Sequence, residues 1–206
     1  FSRGFEEYID RARSIDQGAE LLLEHIRARA DDDQPIFALF HTYEVHSPYT
    51  PPERFRRLFG EYQGSIEGTS EALLEVQASA AKVLSREDLE YLESLYDGEI
   101  RYTDEVLGTM LASLEAIGFL DNAVVVVTSD HGEEFGEHGG LLHGGKLFDE
   151  LLRVPLIISG VGVDQGVVDP ALVSLLDVAP TLLSLAGLDI PDEMEGRNVF
   201  DRPPSE

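Results

Sequence analysis

The chain has 206 residues, 43% of them hydrophobic, which is enough for one α/β domain with a sizeable core. Its 40 acidic residues against 15 basic ones give a formal net charge of -25, and Lys82 and Lys146 are the only lysines. The clustered cations that hold nucleic acid or an anionic membrane are therefore lacking. The absence of cysteine excludes disulfides, thiolate metal sites and a cysteine nucleophile within these residues, and no apolar run approaches the roughly 20 residues of a membrane-spanning helix.

After a glycine-containing opening from Phe1 to Asp10, the residues Ile15, Ala19, Leu22, Leu23 and Ile26 recur at helical spacing. They predict an amphipathic helix over 15–30, ended by Asp31, Asp32 and Asp33. Pro35 to His41 (PIFALFH) predicts a buried strand, and the segment that leaves it, HTYEVHSPYTPP, is stiffened by Pro48, Pro51 and Pro52. Residues 60–70, rich in Gly and Ser, predict a loop.

Ser85 with Asp88 three residues later is a capping box for the longest helix, whose inward positions 89, 92, 96, 100, 103, 107, 110, 114 and 117 fall at steps of three and four. Gly118 stops it and Asp121 with Asn122 turns the chain. The run from Ala123 to Val127 is too short and too β-branched for a buried helix, and predicts an interior strand of a parallel sheet. Helix, turn and strand form the αβ half of a βαβ unit.

Val154 to Ser159 predicts a third strand and Leu172 to Leu176 a fourth. Asp177 then caps a short helix with Pro180 in its first turn and Gly187 at its end, and a polar surface tail is expected over 191–206. The whole, residues 1–206, reads as a single α/β domain.

In open α/β sheets ligands sit beyond the carboxyl ends of the strands, which is where Asp130 and His131 emerge. A carboxylate oxygen and an imidazole nitrogen on adjacent residues can reach one ion where the backbone turns sharply, and Gly132 permits that turn. The structural alternative is an aspartate that caps the following turn. His138, His143 and Lys146 lie on the glycine-rich loop EHGGLLHGGK, suited to an anionic group, or else are ordinary exposed side chains. His46, braced by prolines, is placed for general-acid chemistry or for contact with a leaving group, while His41 reads as a packed residue.

The succession FALFHTYEVHSPYTPP, YDGEIRYTDEVLGTMLASLEAIGFLDNAVVVVTSDHGEEFGEHGG, HGGKLFDELLRVPLIISG and VSLLDVAPTLLSLAG resembles the sulfatase family of the alkaline phosphatase superfamily, in the family's order over about residues 1 to 200. The resemblance implies an alkaline-phosphatase-like α/β fold, a mostly parallel sheet flanked by helices on both faces. It implies a metal-dependent hydrolase of sulfate or phosphate esters, with a small molecule or a glycan as the organic part. By matching position, Asp130 and His131 would be metal ligands. His46 would contact the transferred group or protonate the leaving oxygen, and His143 and Lys146 would bind the anion, His143 fitting the family spacing better.

Two departures qualify this expectation. Many sulfatases carry Asn where His131 stands, giving an all-oxygen calcium site; the imidazole leans toward manganese or zinc and keeps phosphonate and phosphodiester hydrolysis, or phosphoglycerol transfer, in play. The family's acidic metal pair and its Cys or Ser-x-Pro-x-Arg nucleophile segment, the source of formylglycine in true sulfatases, have no counterpart here. The chain is thus expected to be the carboxyl-terminal portion of a longer enzyme, truncated at its N-terminus, inactive by itself and self-associating through an uncovered sheet edge. A non-catalytic pseudoenzyme or binding module is the alternative from another class.

Overall fold

The computed structural model describes residues 2–29, 34–57, 60, 62–78 and 84–201, which fall in two compact units. The first comprises Phe1–Ile117 and Glu133–Gly145, the second Gly118–Gly132 and Lys146–Glu206.

The first unit is built on helices α1 (Ile15–Ala28), α2 (Glu53–Arg56), α3 (Ser70–Ala78) and α4 (Arg86–Ala116). In α1 the Ser14 hydroxyl accepts the Gln17 N–H, and Ile15, Ala19, Leu23 and Ile26 are buried, the face that the periodicity predicts. Helix α4 begins with the reciprocal capping box: the Asp88 N–H donates to Ser85 Oγ at 3.1 Å and the Ser85 N–H to Asp88 Oδ2 at 2.9 Å. Its buried face runs through Leu92, Leu95, Glu99, Tyr102, Met110 and Leu114. That differs from the expected stripe: Ile100 is exposed and the acidic Glu99 takes the inward position.

Two apolar clusters sit along this helix. One joins Tyr49, Ile66, Leu73, Leu92, Leu95 and Leu142, and the other Ile15, Phe55 and Tyr102. Each fully buried leucine among them contributes roughly 1.5–3 kcal/mol. A short antiparallel hairpin, β2 (Glu134–Phe135) with β3 (Leu141–Leu142), completes the unit, with Glu134 opposite Leu142.

Pro35 to His41 forms no strand in this unit. Phe37 and Leu39 are 69% and 57% exposed, and no described strand pairs with them, so the apolar run lacks the ladder that would bury it. Helix α3 follows the loop segment, an element that the sequence pattern does not predict. The expected end of α1 at Asp31–Asp33 lies outside the described residues.

In the second unit Gly118, at φ 74°, leads through a 3-10 turn (Phe119–Asn122) into β1 (Val124–Thr128). Strand β1 pairs with β4 (Leu156–Gly160) in register from Val124 opposite Gly160 to Thr128 opposite Leu156, and α5 (Asp149–Leu152) precedes β4. The α/β class is as expected, but the ladders among the described residues are antiparallel and β1 is half-buried, not interior.

Leu172–Leu176 is not a strand either. A 3-10 turn (Leu175–Asp177) leads directly into α6 (Val178–Leu185). Asp177 stands at the N-cap position of α6, yet its carboxylate accepts the Ser174 and Arg197 N–H groups at 3.0 Å each and makes no cap to α6. The segment after Pro191 is thereby tied down, with the Val199 N–H donating to Thr181 Oγ1 at 3.0 Å. Among the described residues no helix is long and apolar enough to cross a membrane.

Candidate active site

Asp130 and His131 leave β1 at its carboxyl end in the second unit. Thr128 Oγ1 donates to the Pro155 carbonyl at 2.8 Å, Ser129 Oγ to the His131 carbonyl at 2.7 Å, and the Gly132 N–H to the Leu151 carbonyl at 2.9 Å, so the turn is held at three successive points. His131 Nδ1 lies 2.8 Å from the Gly132 carbonyl, an atom that can only accept, so Nδ1 carries the proton and Nε2 the lone pair. Nε2 is 3.8 Å from Asp130 Oδ1, and Asp130 is well exposed.

Oxygen and nitrogen donors this close, with the imidazole oriented through its second nitrogen by a backbone carbonyl, fit the first two ligands of a divalent ion. Lys146, also in this unit, is exposed, with Nζ 5.8 Å from the Phe148 ring centroid, a cation–π distance.

His46 and His143 belong to the first unit, and their rings meet edge to face at 4.8 Å between centroids and 72° between planes. His46 follows a turn closed by its own N–H donating to the Tyr43 carbonyl, and precedes the cis Ser47–Pro48 bond; its Nδ1 lies 2.8 Å from the Ser47 carbonyl, so Nδ1 carries the proton here too. His143 follows β3, and its Nδ1 donates to Glu133 Oε1 at 3.0 Å. His41 packs edge to face on Tyr43.

His138 lies on the β2–β3 loop, which is less slack than its glycines suggest. The buried Glu134 carboxylate accepts both the His138 N–H at 3.2 Å and the Gly140 N–H at 2.8 Å through Oε1. His138 itself is exposed.

Beside His46 the first unit holds a cavity of about 360 Å³, lined among others by Arg13, His41, Glu44, Ser47 and Glu99. Glu99, only 2% exposed, accepts the Thr50 N–H at 2.8 Å through Oε1, while Oε2 has no hydrogen bond among the described residues. Burial pushes its carboxyl from 4.5 up to about 7; the Thr50 N–H opposes that shift, Glu44 adds to it and Arg56 opposes it.

Because the folded protein binds this proton more tightly than the unfolded chain, the stability it contributes is fully present below pH 4.5 and lost as pH rises through about 7. Glu99→Gln is expected to remove on the order of 2 kcal/mol of stability loss between pH 5 and 8, read from urea melts at the two pH values. An unchanged slope would mean that Glu99 is not the group responsible.

Sequence reasoning missed Glu99, Glu133 and Tyr49. Glu133 stands two residues after His131, a proximity that marks it, but its partner Tyr49 is 84 positions away.

The α/β fold that carries Asp130 and His131 is shared with solved structures, among them an alkaline phosphatase superfamily protein of Vibrio parahaemolyticus at 22% identity and a TM-score of 0.59. Within that superfamily the chain belongs to the sulfatase family, whose profile, named Sulfatase, matches residues 4–188. The ulvan-active sulfatase of Formosa agariphila is 28% identical over 181 residues, 86% of this chain and 33% of that protein. The yidJ protein of Bacteroides fragilis superposes with a TM-score of 0.74 at 25% identity, over 94% of this chain and 41% of that one. The phosphonate monoester hydrolase of Agrobacterium radiobacter does so with a TM-score of 0.66 at 28% identity, over 92% of this chain and 42% of that one. The chain spans from 20% to 38% of the length of the curated relatives it matches. Sulfatases are generally dependent on divalent metal ions.

Proposed function

We propose that the protein hydrolyses sulfate esters with a divalent ion held by Asp130 and His131, and that His46, His143 and Lys146 handle the ester's anionic head. The observation that carries this reading is the orientation of His131, whose Nδ1–H bond to the Gly132 carbonyl leaves Nε2 as the donor nitrogen 3.8 Å from Asp130 Oδ1. The mixed nitrogen and oxygen set favours manganese or zinc over calcium.

When bound, such an ion supplies Lewis-acid stabilisation of charge on the ester oxygens. His46 donates through Nε2 to the leaving oxygen once its ring is doubly protonated, because Nδ1 is already committed to Ser47. A sulfated glycan is the substrate class suggested by the ulvan-active relative. The 206 residues contain neither cysteine nor a Ser-x-Pro-x-Arg segment, so a formylglycine nucleophile would have to come from outside them. By themselves they are expected to turn over little and, with Phe37 and Leu39 exposed, to self-associate.

The likeness to a phosphonate monoester hydrolase, together with His131 in place of asparagine, favours phosphonate esters as the second reading. The test is metal analysis of the complete natural protein with a panel of aryl sulfate, phosphonate and phosphodiester. Preferred hydrolysis of the sulfate is expected, and preference for the phosphonate would replace this reading by the second. Light scattering on the 206 residues checks self-association, which a clean monomer would contradict.

A further inference from the structure

We infer that Glu133 and Tyr49 are positioning residues that fix the imidazole of His143, an assignment that rests on the sulfate-ester reading above. Glu133 has a side chain only 4% exposed, and each of its oxygens takes one donor: Oε2 the Tyr49 hydroxyl at 2.6 Å, Oε1 the His143 Nδ1–H at 3.0 Å. A buried carboxylate is costly unless such bonds satisfy it, so both partners are held firmly.

Tyr49 is fully buried between Tyr96 and Phe135, with ring centroids at 5.8 and 5.6 Å, and cannot swing away. Burial, then the bond to Glu133, pushes its hydroxyl far above the usual tyrosine range, which keeps it a donor. On the other side of His143, Leu142 is buried with φ 66°, a left-handed backbone rare for leucine, so the chain entering the imidazole is over-determined as well.

With Nδ1 committed to Glu133, any contact of His143 with an anion passes through Nε2. A short planar imidazole needs such an orienter, because it lacks the reach and freedom by which a lysine adjusts to an anion.

The test joins nitrogen NMR of the His143 ring with kinetics of the metal-loaded complete protein on 4-nitrophenyl sulfate, using inorganic sulfate as inhibitor. In the neutral ring Nδ1 is expected to be the protonated nitrogen. Glu133→Gln should lower kcat/KM about 10- to 100-fold and weaken inhibition by sulfate in parallel. Tyr49→Phe, which keeps the ring in the core and removes only the hydroxyl, should cost several-fold. In a His143→Ala background both losses should vanish, because the positioned group is gone.

A wild-type ring protonated at Nε2, unchanged sulfate inhibition in Glu133→Gln, or full losses persisting without His143 would each overturn the assignment. If Glu133→Gln fails to fold, the wild-type nitrogen shifts and Tyr49→Phe decide it. Absence of any sulfate-ester hydrolysis by the wild type would sink the functional reading, while the nitrogen shifts would still test the position of His143.

Discussion

Asp130→Ala in the complete protein is expected to lose its divalent ion and to lower kcat/KM on the order of 10³-fold or more. Asp130 has a side chain 78% exposed, and its Oδ1 accepts the adjacent His131 N–H at 3.1 Å. Truncating an exposed side chain usually changes stability by no more than about 0.5 kcal/mol. The variant should therefore fold like the wild type and fail only in metal content and turnover. His131→Ala should behave alike, and His131→Gln, which cannot reproduce the imidazole donor, should not rescue it. Elemental analysis alongside steady-state rates reads the result. Wild-type metal content and turnover in Asp130→Ala would remove it from the ligand set and take the leading functional reading with it.

The largest structural effect is expected from Gly132→Ala. The backbone approaches so closely there that an added Cβ would overlap the Glu150 carbonyl oxygen, part of the chain in α5, and the Gly132 N–H is bonded to the neighbouring Leu151 carbonyl at 2.9 Å. A backbone atom cannot step aside as a side chain can, so the turn after His131 must open. A loss of about 3 kcal/mol is expected, at the upper end for overpacking, with weakened metal binding because the Gly132 carbonyl also orients His131. Thermal melts and metal titration check the two effects. A variant with wild-type melting and affinity would show that the close approach is relaxed at little cost.

What could be read from the sequence is what local chemistry determines. Ser85 and Asp88 announce the start of α4, because a capping box involves residues three apart. Val124 to Val127 announce β1, and with it the emergence of Asp130 and His131 at the strand's carboxyl end. The partner of a strand is not local: β4 runs antiparallel to β1, and nothing in the two apolar runs specifies their relative direction. Pro35 to His41 has the composition of a strand but no described ladder, and Leu172 to Leu176 was outcompeted by the Ser174–Asp177 box, which winds the chain into a 3-10 turn. The Tyr49–Glu133–His143 chain joins residues from separate segments, so only the fold assembles it.

Leu142 stands under two opposed demands. Its backbone conformation would suit glycine, yet its side chain fills space among Tyr49, Leu92 and Leu95 that glycine would leave empty. A β-branched replacement would suffer more in that conformation than leucine does. Unbranched or γ-branched apolar residues are thus expected to be tolerated best at this position, and a library of substitutions there would report how tightly the molecule ties the upkeep of its interior to the aim of the neighbouring imidazole.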